Sequence, residues 1–268
     1  MMRANRIAAV VLRQFYLLRG SPTRVLPMFS WVAIDIVLWG FITRYLNTFA
    51  SGGFNFVPAL LGAVLLWGFL TRVMQGVTQA FFEDVWSRNF LNVFATPLLI
   101  SEYVIGLVVI GVCTSLLGLL VMLVLATLVF GLSMFAYGLA IIPFMMVLFL
   151  TGIALGVASS AVVLRLGPAS EWMIWPIPSL ISPFVGVFYP LSVLPGWMQA
   201  VAHVLPPSYV FEGMRAVVAG HGVRADHLLW GAGLSLAYVA LAGVFFASIY
   251  RHAIRTGLIA RYSAETVS

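Results

Sequence analysis

Residues able to do acid–base, nucleophilic or metal chemistry are few in this 268-residue chain, and they are scattered. No lysine occurs, which excludes a phosphate-binding loop of the GxxxxGK[ST] type. The chain also has no HExxH or GxSxG motif, and its single cysteine, Cys113, excludes an internal disulfide and a multi-cysteine metal site. The four histidines lie apart and accompany no carboxylate cluster: His203, His221, His227 and His252. We therefore predict a protein that is not an enzyme and holds no cofactor or metal of its own.

The composition of the chain indicates an integral membrane protein, most of whose residues lie in lipid. Hydrophobic residues make up 62% of the chain and charged residues 8%, with a mean hydropathy of +1.07, whereas soluble domains are about 25% charged. All 14 basic residues are arginine. In a membrane protein a basic excess indicates cytoplasmic flanks, so we expect no nucleic acid partner.

Six apolar segments are long enough to cross a bilayer, which requires about 20 residues each. They cover about 25–45, 56–80, 103–130, 136–164, 172–190 and 228–250. No repeat or linker divides the chain, so residues 1–268 are predicted to form one all-α integral membrane domain with six transmembrane helices.

The arginines set the orientation of these crossings. With the N-terminus inside, ten arginines are cytoplasmic: Arg3, Arg6, Arg13, Arg19, Arg24, Arg88, Arg165, Arg251, Arg255 and Arg261. Only Arg44, Arg215 and Arg224 are external, and Arg72 lies within or near the end of the second crossing. This positive-inside bias predicts a multi-pass protein with both termini in the cytoplasm. The N-terminus lacks the features of a cleaved signal peptide.

Residues 1–24 precede the first crossing and are predicted to form an interfacial helix. Ile7, Val11, Phe15 and Leu18 recur at helical spacing, and Arg6 and Arg13 fall on another face. The alternative is a helix that only leads the chain into the membrane.

The segment 81–102 lies between the second and third crossings. Its charged and amide residues, among them Glu83, Asp84, Arg88 and Asn89, alternate with aromatic ones until Pro97. This pattern predicts a short amphipathic cytoplasmic helix ended by proline. Such a helix is either a docking element for a soluble motor or an ordinary interfacial helix.

Asp35 is the one acidic residue deep inside a predicted crossing. A carboxylate at that depth costs several kcal/mol unless it is paired or solvated. We interpret Asp35 as part of a substrate pathway or subunit contact; the alternatives are a buried partner that fixes helix packing and a proton relay.

Residues 191–219 contain two apolar pieces too short to cross, Trp197 to Leu205 and Tyr209 to Ala219, separated by prolines. Such a pair fits a re-entrant helical hairpin between the fifth and sixth crossings, sheltered by protein. Glu212 and Arg215 stand at i,i+3 and are expected to pair. The alternative is an external loop that rests on the lipid headgroups.

Two separated motifs resemble those of ABC-type-2 exporter permeases. The first is G-V-F-Y-P-x-S-x-L-P-x-W-x-Q-x-x-x-x-x-x-P at 186–206, followed by Tyr209 and E-G-M-R at 212–215. The second is E-D-x-x-S-R-N-x-L-x-x-x-x-x-P at 83–97, followed by Glu102 and Tyr103. The similarity extends over nearly the whole chain.

The resemblance implies a permease of the bacterial cytoplasmic (inner) membrane that dimerises with a second copy of itself. It also implies two copies of a separate ATPase subunit, which would carry the ATP and Mg. Carried over to this sequence, it assigns coupling to the ATPase to Glu83, Asp84, Arg88, Asn89 and Pro97. It assigns an external gate to Pro190, Leu194, Pro195, Trp197, Pro206, Tyr209, Glu212 and Arg215.

Substrates implied by the resemblance range over drugs, lipids and glycans. The short tail from Arg251 to Ser268 has no room for a carbohydrate-binding domain, which favours an amphipathic small molecule, drug or lipid. A lipid-linked or polymeric glycan is the alternative within this fold. A self-contained channel or secondary carrier is the alternative from another class, and a membrane enzyme of lipid metabolism would need an acidic or histidine cluster that the sequence does not show.

Overall fold

A computed structural model gives the structure of residues 4–20, 22–49, 57–86, 96–132 and 138–257, without the side chains of residues 22–25, 27–29, 32, 86 and 168. These residues form α-helices and short helical turns, with no strand among them. The nine α-helices in this part of the chain are α1 (Ala4–Arg19), α2 (Pro22–Phe49), α3 (Gly62–Trp86), α4 (Ile100–Phe130), α5 (Ile141–Leu166), α6 (Ile177–Val185), α7 (Gly196–Val204), α8 (Pro206–Val218) and α9 (Ala225–Thr256).

Within the described ranges, four helices are long and apolar enough to cross a membrane: Val57–Val85, Ile100–Phe130, Gly138–Leu166 and Ala225–Thr256. They coincide with four of the six predicted crossings, and the prediction of an all-helical multi-pass membrane protein is confirmed to that extent. The crossings at 25–45 and 172–190 stay predictions. The first of these falls in α2, which is 28 residues long.

The segment 172–190 is not one continuous helix. A 3₁₀ turn, Pro168–Met173, leads into α6, which has nine residues and contains Pro183. Pro176 and Pro178 lie at the start of α6. Proline lacks the N–H that continues a helical hydrogen-bond ladder, and this explains why the apolar run forms short pieces.

Helix α3 lies between α4 and α5, and glycines let the backbones approach closely. A Cβ placed on Gly76 would lie 2.8 Å from the carbonyl oxygen of Gly111 in α4. On the α5 side, a Cβ placed on Gly152 or Gly156 would lie 2.9 Å from a backbone oxygen of α3. Small residues at such contacts allow the dense packing that holds helices together in lipid.

Helix α5 also packs along α9, and α8 lies against both helices. The hydroxyls of Thr151 in α5 and Ser235 in α9 are 3.1 Å apart and both are buried. The described chain is therefore a layer of α1, α2 and α4 on one side of α3, with α5, α9 and α8 on the other.

We predict that Gly76→Ala destabilises the protein by about 1–3 kcal/mol, because the added methyl meets backbone rather than a flexible side chain. Gly243→Ala in α9 is the matched control, since no atom lies within 4 Å of its Cβ position. Thermal unfolding of the purified protein in detergent should occur at a lower temperature for Gly76→Ala and at an unchanged or higher one for Gly243→Ala. Equal unfolding temperatures for the two variants would refute the close contact.

Candidate functional site

A cavity with a volume of about 1070 Å³ lies among α2, α3 and α4. One wall is a polar face of α3. Gln75, Gln79 and Glu83 recur every four residues, so successive turns present them on the same side of the helix. The face extends from mid-helix to the end of α3, within a run that is otherwise apolar.

Two opposite charges face each other within this cavity. Asp35, on α2, is exposed in the single chain and interacts electrostatically with Arg72 of α3. A Cβ placed on Gly118 of α4 would lie 3.0 Å from Cδ of Arg72, so the missing side chain makes room for the arginine stem. The cavity therefore provides the polar surroundings that a carboxylate within an apolar helix requires.

Aromatic side chains form much of the remaining cavity wall. Four of the eight tryptophans of the chain line it: Trp31, Trp39, Trp67 and Trp175. Trp39 stacks on Phe188, with the ring centroids 4.6 Å apart and the planes at 14°. The cavity thus combines flat apolar surfaces with hydrogen-bonding groups.

Helix α1 is fixed to the ends of α3 and α4 by buried carboxylates. Arg13 pairs with Asp84, whose side chain is 0% exposed. The same carboxylate accepts a hydrogen bond from the hydroxyl of Tyr103 at 2.7 Å and one from Nε2 of Gln14 at 3.3 Å. The arginine face of α1 is therefore turned inward onto protein carboxylates.

A second contact fixes the beginning of α1. Arg6 pairs with Glu102 at 3.4 Å, and Glu102 also accepts the backbone N–H of Leu99 at 2.9 Å. Between the two charged pairs, Val10 packs on Gly106 of α4, where a Cβ would lie 2.6 Å from a methyl group of the valine. The three contacts hold α1 in one register along α3 and α4.

Glu212 and Arg215 of α8 form an ion pair at 2.8 Å. Oε1 of Glu212 also accepts the N–H of Leu191 at 2.7 Å, and Nη1 of Arg215 donates to the carbonyl of Gly186 at 2.7 Å. Gly186 has φ +63°, a conformation that favours glycine. The ion pair thus ties α8 to the chain segment that follows α6.

The turn between α7 and α8 is bonded both within itself and to α9. The hydroxyl of Ser208 donates to Ala202 at 2.7 Å, and that of Tyr209 donates to His203 at 2.8 Å. The hydroxyl of Tyr238, in α9, donates to the carbonyl of Val204 at 3.0 Å. A second, apolar cavity of about 340 Å³ lies beside this turn and is lined by Pro206, Tyr238 and Trp67 among others.

The structure brings together most of the predicted gate residues. Pro190 precedes the 3₁₀ turn Leu191–Val193, and Pro195 precedes α7. The carbonyl of Leu194 accepts a hydrogen bond from Gln199 at 2.8 Å. Trp197 is 65% exposed and contacts Phe184 edge to face. Pro206 begins α8, a position that suits proline.

Two of the predicted coupling residues, Glu83 and Asp84, lie in α3 and not in a separate cytoplasmic helix. Glu83 and Asp84 lie in the last turns of α3 and are buried, at 3% and 0% exposed. Phe81, Phe82 and Val85 continue the buried apolar side of α3, which explains why the helix extends through this segment. Pro97 is exposed before α4. Arg88 and Asn89 lie outside the described residues.

Gln75 and Gln79 are not predicted from the sequence. Polar residues at positions 75, 79 and 83 nevertheless recur every four residues inside an apolar run, and that spacing indicates a polar helix face. The inward turn of Arg13 is also unpredicted, because its partner Asp84 is 71 residues away in sequence.

In the described part of the chain, four membrane-length helices define a multi-pass membrane protein, and no cluster of side chains is suited to a metal ion. Residues 6–219, well over half of the chain, match the family of ABC-2 type transporters, and the chain belongs to that family. It is a membrane-spanning permease subunit of an ABC transporter. No curated protein matches the chain.

We predict that Asp84→Asn loosens α1, because Arg13 loses the charge of its buried partner. Breaking a buried pair costs about 3–5 kcal/mol, and the lower end applies here since Arg13 is 28% exposed. Hydrogen exchange of the α1 amides should accelerate in this variant. The control is Asp226→Ala, which breaks the exposed pair of Arg224 and Asp226 and should leave α1 unchanged. Unaltered α1 exchange in Asp84→Asn would contradict the assigned contact.

Proposed function

We propose that this permease is part of an ATP-driven exporter and that the cavity among α2, α3 and α4 is the substrate pathway. The substrate is an amphipathic small molecule, drug or lipid, moved out of the cytoplasm or the inner leaflet. The observation that carries the proposal is the polar face of α3, which lines a cavity of about 1070 Å³ inside an apolar helix layer. Polar side chains at such a position mark substrate pathways in membrane proteins.

The assembly we propose contains two copies of this chain and two copies of a separate ATPase subunit, which binds ATP and Mg. It lies in the bacterial inner membrane, surrounded by lipid, with both termini in the cytoplasm. The family match supports a partner ATPase, and the arginine distribution supports the orientation.

We further propose six crossings and a re-entrant hairpin made of α7 and α8. Tyr238, which bonds to the hairpin turn, lies 13 residues after the start of α9, or about 20 Å along a helix that rises about 1.5 Å per residue. A turn at that depth is sheltered by α5, α8 and α9, as backbone within lipid must be. This depth supports a hairpin that enters the membrane and not a loop on the headgroups.

In this proposal, force from the ATPase arrives through α1 and the segment between α3 and α4. Because Asp84 is buried and paired with Arg13, its part in coupling is to position α1 against α3. Glu83, which is also buried, would act in coupling from the cavity wall. Pro97, Arg88 and Asn89 belong to the segment that would contact the ATPase directly. Asp35 and Arg72 would contact substrate in the pathway.

A secondary carrier is the second candidate function, because Asp35 and Arg72 place opposite charges within the helix layer. The two functions differ in their need for a motor. We expect the chain to copurify with a P-loop ATPase encoded beside it, and we expect the complex to hydrolyse ATP. A chain that moves an amphiphile in liposomes without any ATPase, and that captures none, would be a carrier.

We predict that Glu212→Ala and Arg215→Ala each reduce ATP-driven transport about tenfold. Glu212→Ala removes the acceptor of Nη2 of Arg215 and of the N–H of Leu191. Arg215→Ala removes the donor to the carbonyl of Gly186. Such losses cost about 1–3 kcal/mol. Transport is measured in proteoliposomes as ATP-dependent protection of an NBD-labelled glycolipid or phospholipid from dithionite. Both variants should still copurify with the ATPase, and Asp226→Ala should transport normally. Unchanged transport in both Glu212→Ala and Arg215→Ala would contradict the proposed role of the hairpin as an external gate.

A further inference from the structure

The polar wall of the cavity offers both donors and acceptors at regular intervals. The side chain of Gln75 lines the cavity. Gln79 contacts Glu83 at 3.5 Å and also faces the cavity. Each amide supplies two N–H donors and one carbonyl acceptor. A ligand that both donates and accepts at each position, as a hydroxyl does, matches this wall.

Among the residues that the structure describes, the charges that line the cavity balance one another. Arg19 and Arg72 contribute two positive charges, and Asp35 and Glu83 contribute two negative ones. A cavity built for an organic cation would carry an excess of acid, and one built for a phosphate would carry an excess of arginine. Balanced charges favour a head without net charge.

The tryptophans provide the complementary surface. Trp31 and Trp39 of α2 face the same space as the α3 amides, with Trp67 and Trp175 at other points of the wall. An indole ring presents a flat face with partial negative charge, which attracts the weakly positive C–H groups of a ring such as a pyranose. Flat apolar faces combined with amides suit a ligand whose hydroxyls and C–H faces lie on different sides.

We propose that this cavity binds an amphiphile whose head is uncharged and rich in hydroxyl groups, of the kind that a sugar provides. The inference rests on the proposed permease function and narrows its substrate class. The volume of about 1070 Å³ slightly exceeds the range of about 300–1,000 Å³ for small-molecule sites, so the cavity has room for such a head and part of its tail. Phe15, Leu18 and Leu117, which also line the cavity, offer apolar contacts to the tail.

The single cysteine of the chain gives a direct probe, because Cys113 is exposed and lines the cavity. The full-length protein, with its ATPase where one copurifies, is placed in phosphatidylcholine nanodiscs. The rate at which uncharged iodoacetamide labels Cys113 is then measured in the presence of each of four dodecyl amphiphiles, below their critical micelle concentrations. Their heads are maltoside, phosphocholine, trimethylammonium and sulfate, so that only the head varies.

We expect dodecyl maltoside to slow the labelling of Cys113 about tenfold and the other three amphiphiles to slow it less. In Gln75→Ala/Gln79→Ala, protection by the maltoside should weaken about tenfold, because two hydrogen bonds of ordinary strength are lost. In the control variant Gln199→Ala, whose side chain lies outside the cavity, the maltoside should protect Cys113 as well as it does in the unmodified chain. A cysteine at position 223, made as Val223→Cys in a Cys113→Ser background, reports any general effect on labelling.

Strongest protection by the trimethylammonium, phosphocholine or sulfate head would overturn the proposal in favour of that head. Equal protection by all four would show that the tail alone binds, and no protection would show that the cavity is not a site; either result overturns it. None of these measurements requires ATP hydrolysis. If the chain captures an ATPase but the maltoside head is not preferred, only this inference about the substrate fails. If the maltoside head is preferred but no ATPase partner is found, only the proposed exporter function fails.

Discussion

The contact of α3 with α4 and α5 through glycines is the constraint on which the rest of the structure depends. In lipid no hydrophobic effect drives helices together, so close backbone packing has to supply the attraction. Gly76, Gly111, Gly152 and Gly156 provide it on the packed sides of α3. Because those sides hold the helix in place, its remaining face can carry Gln75, Gln79 and Glu83 toward a cavity without loss of the fold.

The ends of the molecule are fixed by polar contacts of a different kind. Buried carboxylates hold α1 at one end, and the pair of Glu212 and Arg215 holds α8 to the chain after α6 at the other. In both places a charge in apolar surroundings has a partner within hydrogen-bonding distance, which lowers the cost of its burial. The cavity lies between these fixed ends, so a displacement of α1 by an attached motor would be carried to the cavity by α3 and α4.

The long helices could be predicted from the sequence because an apolar run of sufficient length needs no tertiary information. The ion pair of Glu212 and Arg215 was predictable for a similar reason, since i,i+3 neighbours meet on any helix. The cavity and the anchoring of α1 could not be predicted, because they join residues such as Arg13, Asp84 and Tyr103 that only folding brings together. The spacing of Gln75 and Gln79 can be read from the sequence, but their position opposite the α2 side of the cavity cannot.

The main hypothesis is that α7 enters the membrane from the outside, that the turn between α7 and α8 lies at mid-depth beside α9, and that α8 leads back out. It is tested most directly by single cysteines in a Cys113→Ser background, made as Trp197→Cys near the start of α7 and Val204→Cys at its end. Both side chains are exposed in the single chain, at 65% and 53%. With a membrane-impermeant maleimide on intact cells, we expect the cysteine at position 197 to be labelled and the cysteine at position 204 not to be labelled. Labelling at position 197 only after the cells are opened would contradict it.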